Sequence, residues 1–576
     1  MSPFNHDHFD YKKYRPFPVL NKPDRRWPSR VIKRAPMWCS VDLRDGNQAL
    51  IEPMSVTQKQ RMWALLIKLG FKFIEIGFPA ASQPDFDFCR WLINENQIPD
   101  DVTVQALTQA RPELIERTYT ALSGAKKAIV HVYNSVSPVQ REKVFQLDKN
   151  EITAIACQGA QKVLDESKKY PDTEWSFEYS PESFSNTEID YAIDVCNAVI
   201  EIWQPTLDHK VIINLPATVE CATPNVFADQ IETFCDHVNC RDAIIVSVHT
   251  HNDRGCAIAA AELALMAGAD RIEGTLMGNG ERTGNMDIVT LAMNLYSQGI
   301  DPILDLSNAD EIMRVVAECT RIETHPRHPW FGEMVYTAFS GSHQDAINKC
   351  LSKQREDEPW DVAYLPIDPR DLGRDYQSVI RVNSQSGKGG VAYILEQQYG
   401  LRLPRWLQIE ASRKVQDYAQ SHEVEVSHQD IWRIVESSFM LTDKAYQLHA
   451  YHLDKHGKTE TIQATISSSN NLVEDVMLVG EGDGALVAFC QAIQQALGLT
   501  VDILNYDQHA IGAGTHASAV GYIQVKINGH RYCGIAKNSD IISANLNAIL
   551  ACVNQAGIHF DEAVACSISR VLSAEG

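Results

Sequence analysis

The chain has 576 residues and a formal net charge of −22, enough for three or four domains at the usual ~100 to 200 residues each. That charge disfavours a role on nucleic acid or an anionic membrane, both of which need a basic footprint; small anions remain open where a metal or local arginines hold them. The 14 cysteines are scattered without a Cys-x-x-Cys pair, the pattern of reduced thiols rather than of a disulfide framework. Neither an 18-residue apolar run nor an apolar leader segment occurs, so no membrane span and no secretory signal are expected, and the protein is expected in the cytoplasm.

Residues 1–36 form a polar, proline-containing arm. A short apolar run then begins at Met37 and ends in Asp42-Leu-Arg-Asp-Gly-Asn-Gln48. The segment Ser55 to Leu69 has helical periodicity, with Gly70 placed to end it. From there strands and helices alternate. The expected strands start at Met37, Phe73, Thr103, Ala128, Trp175, Val211, Ile244 and Arg271, and amphipathic stretches such as 112–122, 152–169, 188–203 and 225–237 lie between them. Eight strand–helix units over about 250 residues predict a (β/α)8 barrel spanning 37–320. The alternative, an open doubly wound sheet, lacks its Gly-x-Gly-x-x-Gly after the first strand.

The seventh strand ends in His249-Thr-His251. Period two puts both imidazoles on one face, where they can grip one cation; taken alone, the pair reads more readily as one core and one turn histidine. Asp45 alone reads equally as a turn cap. Barrel closure changes the weighing, because strand eight must lie between seven and one. The residues beyond their C-terminal ends, Asp45, His249, His251 and Asn285, then share one patch of rim. Two imidazoles, a carboxylate and an amide oxygen suit a catalytic divalent cation. The loop Gly278-Asn-Gly-Glu-Arg-Thr-Gly284 reads either as an anion cradle or as a tight turn closing the barrel.

Residues 321–437 read as a charged, proline-containing linker followed by helical subdomains, with Ser386-Gly-Lys-Gly-Gly390 opening the helix at Val391. Residues 438–576 hold two passages of strand, small-residue turn and helix, ending in the helices 485–497 and 540–553. They predict a pseudo-symmetric α+β module that binds a ligand or dimerises.

With these motifs assembled, the chain resembles the 2-isopropylmalate synthases that carry a C-terminal leucine-responsive domain. Leu43-Arg-Asp-Gly-Asn-Gln48 and His249-Thr-His-Asn-Asp-Arg-Gly255 look like the two signatures of the barrel synthases and lyases. Gly278 to Asn285 and Ser340-Gly-Ser-His-Gln-Asp-Ala346 look like the narrower synthase pattern. The resemblance implies a divalent metal on Asp45, His249, His251 and Asn285, Mg2+ by family usage with Mn2+ or Zn2+ as substitutes. It also implies condensation of acetyl-CoA with 2-oxoisovalerate, Arg44 stabilising oxyanion charge, Glu182 and His343 in proton transfer, and His131 and Thr218 lining the oxoacid site. Further implications are a homodimer, through helical subdomains that reach toward the partner's barrel, and a leucine pocket at Gly482, Gly484, Leu486, Tyr506, Ala510 and Ala517. The turn 512–517 departs from the acidic version expected there. Sister synthases acting on other oxoacids, the related lyase and a non-catalytic leucine sensor are the competing readings.

Overall fold

Eight parallel strands close into a ring in a computed structural model that describes residues 11–18, 20–374, 388–422, 426–441, 446–468, 476–498, 500–512 and 518–557. The strands β1 (Met37–Ser40), β2 (Phe73–Glu75), β3 (Thr103–Gln109), β4 (Lys127–Ser135), β5 (Glu174–Glu182), β6 (Val211–Ala217), β7 (Ile244–Thr250) and β8 (Arg271–Gly274) follow one another around the barrel. β1 pairs with β8 from Met37↔Arg271 to Ser40↔Gly274, which removes the open-sheet alternative. These are the eight expected strands, with their ends shifted by a few residues.

Helices α1 (Val56–Leu69), α2 (Gln83–Asn94), α3 (Pro112–Leu122), α4 (Lys149–Ser167), α5 (Ile189–Trp203), α6 (Pro224–His237), α7 (Ala257–Ala267) and α8 (Ile288–Tyr296) connect or follow the strands, and α9 (Ala309–Thr320) comes next. Local chemistry sets their ends. Ser55 and Gln58 form a reciprocal cap at the start of α1, and Asp148 and Glu151 repeat it at α4. Gly70 ends α1 at φ 98°, a conformation that strains any side chain.

Within each strand, alternate residues face the helices and the barrel axis. The outward set is mainly Val, Ile, Ala and aromatic residues, buried under the helices. The inward set includes a polar layer: Gln105, His131, Glu178, Asn214, Ser247, Arg271 and Glu273 meet across the axis, as when Arg271 Nη2 donates to Gln105 Oε1 at 2.6 Å. This departs from the branched apolar layers that usually fill such barrels.

The chain divides into two compact units. The first runs to Val335 and takes in Asp371–Gly373; the second comprises Tyr336–Arg370 and the chain from Arg374 on. The second unit holds α10 (Gly341–Leu351), α11 (Lys388–Tyr399), α12 (Arg405–His422) and α13 (His428–Phe439), then β9 (Tyr446–His456), β10 (Thr459–Ser468), β11 (Val476–Gly482), α14 (Ala485–Leu497), β12 (Val501–Ile511), β13 (Ser518–Ile527), β14 (His530–Asn538) and α15 (Ile541–Gln555).

Each of the two expected strand–turn–helix passages is thus the end of a larger repeat, a three-stranded antiparallel meander followed by a helix. The sheet orders are β11-β10-β9 and β12-β13-β14. Of the four further strands, β9 and β12 are largely exposed and carry little apolar alternation. Gly480 of β11 and Gly534 of β14 occupy equivalent places in the two repeats. At either one a Cβ would press into the backbone of the helix that follows, at Ala488 or Ala548, so each glycine lets its helix lie close to its sheet. Leu546, Ile549, Phe489, Ile493 and strand residues such as Ile462 and Ile523 share one core. Ser386, Gly387 and 513–517 lie outside the described residues.

Candidate active site at the barrel mouth

The chain leaves β1 through a single wide helical turn, Asp42–Gly46, in which the Gly46 N–H reaches back to Val41 O at 3.1 Å. Such turns collect at functional positions. The turn is fastened to the segment that follows the neighbouring strand β8: Asp42 Oδ1 accepts from Leu276 N at 3.0 Å, and Asn279 Nδ2 donates to Gly46 O at 2.9 Å. It aims Asp45 at β7. Asp45 Oδ2 lies 3.3 Å from His249 Nε2 and 3.5 Å from His251 Nε2, and the two Nε2 atoms are 3.0 Å apart. Asn285 pairs through its backbone with His251 and is 2 % exposed.

Among the described residues, two buried groups of side chains converge closely enough to share an ion: Asp45, His249 and His251 at the mouth, and Glu75, His131 and Glu273 below it. Their hydrogen bonding separates them. In the lower group every carboxylate oxygen already accepts from a donor. Glu75 takes Arg44 Nε on one oxygen, and Gln105 and His131 on the other; Glu273 takes Arg271 and Gln105, then Asn214 and His249. In the upper group Asp45 Oδ2 has no hydrogen-bond partner, and neither does the Asn285 amide. Buried acceptors are rarely left so. A cation bonded at ~2.1 Å spaces adjacent octahedral ligands ~3.0 Å apart and tetrahedral ones ~3.4 Å apart, and the upper atoms have this spacing. The residues present therefore fit a divalent ion.

Electrostatics agree. Burial works against the Asp45 carboxylate, but Arg44, His249 and His251 hold it well below the usual range. Burial also favours neutral His249, yet the negative charges of Asp45 and Glu273 beside it push it up to about 9. Burial, His249 and Arg282 push His251 down. A proton and a cation thus compete for His249 Nε2.

A cleft of about 270 Å3 opens over this cluster, lined among others by Arg44, Asp45, His131, Glu182, Thr218 and both metal-facing histidines. Arg44 is held by Nη1 on Asp45 Oδ1 at 2.6 Å and by Nε on Glu75. His131 is 2 % exposed, with Nδ1 2.7 Å from Glu75 and Nε2 2.7 Å from Ser180 Oγ, so it supports the cleft floor. Glu182 accepts from Ser135 Oγ. Thr218 Oγ1 accepts from Ser183 N at 2.9 Å, which leaves its own O–H to donate.

The other candidates belong to the second unit. His343 belongs to the second unit, where its exposed ring stacks on Tyr364 at 4.0 Å. Gly482 and Gly484 flank the turn into α14, with Leu486 in its first turn, and Tyr506 and Ala510 are exposed on β12. Ala517 lies outside the described residues.

The sequence reading passed over several cleft residues. Gln48, Tyr133, Glu281 and Arg282 also line it. Arg282 ties the mouth together, bonding Asp253 at 2.6 Å, Thr218 O at 2.5 Å and His251 Nδ1 at 2.8 Å. Ligation through His251 Nε2 requires the proton on Nδ1, so Arg282, 40 % exposed, is the group that must turn away. The loop that carries it is self-bonded, with Asn285 N donating to Gly278 O at 3.1 Å and Gly284 at φ 104°, as the tight-turn reading has it. A larger cleft, of about 960 Å3, opens at the opposite end of the barrel. Its arginines cap the C-terminal carbonyls of α7, Arg30 on Met266 O and Arg241 on Gly268 O, a stabilising arrangement.

Beneath the mouth, Arg44 and Arg271 balance Glu75 and Glu273. Glu178 lies 3.1 Å from Arg271 Nη1, but burial, helped by Glu273 and Glu75, pushes it up to about 8 from the ordinary 4.5. A carboxyl raised on folding gives stability that is complete below about pH 4.5 and lost as pH rises to about 8. The difference in unfolding free energy between wild type and Glu178→Gln should therefore fall from pH 5 to 8 and level off above. Denaturant titrations across that range would check it; a flat difference would mean that Glu178 is ionised throughout.

Comparison with known proteins follows this geometry. Residues 35–316 match the HMGL-like family, 333–396 the alpha-isopropylmalate synthase post-catalytic domain-like family, and 425–556 the LeuA allosteric (dimerisation) domain. The 2-isopropylmalate synthase of Pseudomonas fluorescens (strain Pf0-1) is 53 % identical over 544 residues, 94 % of this chain and 97 % of its own length. That of Alcanivorax borkumensis is 53 % identical over 547 residues, 95 % and 98 % of the two chains. Among solved structures, a hydroxymethylglutaryl-CoA lyase from Pseudomonas aeruginosa overlaps 51 % of this chain and 95 % of its own, at 16 % identity and a TM-score of 0.42. With identity this high along almost the whole chain, and a family match over each of its three parts, the chain belongs to the 2-isopropylmalate synthase family.

Proposed function

We propose that the protein condenses acetyl-CoA with 2-oxoisovalerate and hydrolyses the thioester, releasing 2-isopropylmalate and CoA as the entry step of leucine synthesis. The observation that carries the reading is the convergence of Asp45, His249 and His251, beside the orphaned Asn285 amide, at the mouth of a barrel of this family. These four residues would hold a divalent cation, Mg2+ by the resemblance, with Mn2+ or Zn2+ able to replace it. When bound, the ion supplies Lewis-acid polarisation of the oxoacid's keto group.

The chain's own groups account for the rest. A base takes a methyl proton from acetyl-CoA, the resulting carbanion attacks the keto carbon, and water then cleaves the thioester. Glu182 and His343 are assigned to proton transfer. Arg44, kept cationic between Asp45 and Glu75, faces the oxygen that gains negative charge. Thr218 offers a hydroxyl to the oxoacid carboxylate, and His131 shapes the floor. We assign catalysis to 37–320, the linker and helical subdomains to 321–437, and leucine response and homodimer contact to 438–576, with Gly482, Gly484, Leu486, Tyr506, Ala510 and Ala517 around the effector. The match to an allosteric dimerisation domain supports that assignment.

CoA release, followed with a thiol reagent, tests the reading. With divalent metal, release should be fastest with 2-oxoisovalerate among pyruvate, oxaloacetate and 2-oxoglutarate, and leucine should suppress it. One methylene in the pocket is worth ~1–3 kcal/mol, so the preference should be roughly tenfold or more. Faster release with another oxoacid would move the chain to a sister reaction. No helix among the described residues is long and apolar enough to cross a membrane.

A further inference from the structure

Only one nitrogen of His249 faces the ion cluster. The other, Nδ1, lies 3.0 Å from Glu273 Oε2, and both residues are buried, at 5 % and 1 % exposure. Glu273 is held from several strands at once. Oε1 accepts from Arg271 Nη1 at 3.0 Å and from Gln105 Nε2 at 3.2 Å, and Oε2 also accepts from Asn214 Nδ2 at 3.1 Å. Arg271 is itself fully buried and gives further hydrogen bonds to Ser247 Oγ and Gln105 Oε1.

A carboxylate surrounded in this way only accepts. His249 must then donate from Nδ1, which leaves the lone pair on Nε2, the atom 3.3 Å from Asp45 and 3.0 Å from His251. His251 has no such support, since its Nδ1 meets the donor Arg282. The pair is therefore asymmetric, with His249 set in advance and His251 recruited.

We infer that Glu273, clamped by Arg271, is a positioning residue that fixes the tautomer and ring direction of His249 so that Nε2 is presented to the ion. The inference rests on the reading of Asp45, His249 and His251 as ligands. Outer partners of this kind typically hold a ten- to hundredfold share of metal affinity. Glu273→Gln keeps the size but turns an amide toward Nδ1, where its N–H2 favours the other tautomer.

The test is Mn2+ binding to the full-length protein, counted by loss of the free-ion EPR signal, beside the 15N shifts of labelled histidine. Glu273→Gln should weaken Mn2+ binding ten- to hundredfold and move the His249 Nδ1 resonance, and saturating Mn2+ should restore most of the lost turnover. Glu178→Gln, which removes a neighbouring carboxyl that touches Arg271 but not His249, should change Mn2+ affinity by less than about twofold on the same scale. If Glu273→Gln does not fold, Glu273→Asp shortens the reach and should shift affinity the same way. Wild-type affinity in Glu273→Gln would overturn the inference. So would an equal loss in Glu178→Gln, because Glu273 would then serve only barrel cohesion. If the wild-type protein binds no Mn2+, the ligand reading itself falls; if it binds and His249→Ala does not, a failure of Glu273→Gln counts against this inference alone.

Discussion

Asp45→Asn should lower turnover about a thousandfold, the upper end for loss of one electrostatic stabiliser and equal to roughly 4 kcal/mol of barrier. The upper value is expected because two effects combine. Asp45 is the one carboxylate among the four proposed ligands, so the amide leaves the ion's charge less compensated. Its Oδ1 also holds Arg44 Nη1 at 2.6 Å, so the guanidinium loses a restraint at the position where oxyanion charge develops. The variant keeps its shape, since Asn matches Asp in size and the turn is fixed by Asp42 and Gly46 instead. Turnover measured against metal concentration separates the two effects. A raised metal requirement with full turnover at saturation would confine Asp45 to affinity, and unchanged behaviour in both would remove it from the ligand set.

The second large effect is on stability. Arg271→Met should destabilise the barrel by about 3–5 kcal/mol, the usual result of taking one partner from a buried ion pair. Arg271 is 0 % exposed and sits among Glu178, Glu273 and the polar side chains of β3 and β7. Without it, Glu273 loses the cation that most lowers its pKa against burial. The compensating triple variant, with Gln at 178 and 273, should recover part of the loss, because it removes the charges left unpaired. A chain of several domains need not unfold in one step; the transition reported by barrel tryptophans such as Trp38 and Trp175 is the one to follow. A loss under about 1 kcal/mol would mean that the carboxyls simply take up protons.

These two residues also show what can be read from a sequence. Asp45 was found because its motif follows a strand and because barrel closure makes the ends of β7, β8 and β1 neighbours, an inference that topology alone licenses. Arg271 reads in the sequence only as the start of a strand. The missed signal is the alternation itself: Val104-Gln-Ala, Val130-His-Val, Phe177-Glu-Tyr, Ile213-Asn-Leu and Ile272-Glu-Gly place a polar residue between outward-facing ones. Strands of a parallel barrel buried on both sides normally read as unbroken apolar runs, so a polar residue recurring at one inward position of strand after strand announces a functional interior. Arg282 was hidden for another reason. Its loop is shaped by glycines, and which way a side chain at φ 57° points depends on Asp253 and Thr218, both distant in sequence. In the C-terminal module, each strand that runs into a helix across small residues was legible. The exposed strands β9 and β12 were not, because only their pairing partners define them.

The hydrogen bond from Leu276 to Asp42 joins residues 234 apart, and this sets a timetable for the molecule's birth. On a ribosome adding about 5–20 residues each second, the two halves of the mouth emerge on the order of 10 to 50 s apart. Through that interval β1 has one unpaired edge, and contacts between residues far apart in sequence are the slowest kind to form. Capture of the ion therefore waits until β8 and the segment after it have emerged, and a nascent chain stalled before β8 should neither retain metal nor escape chaperones that recognise open sheet edges.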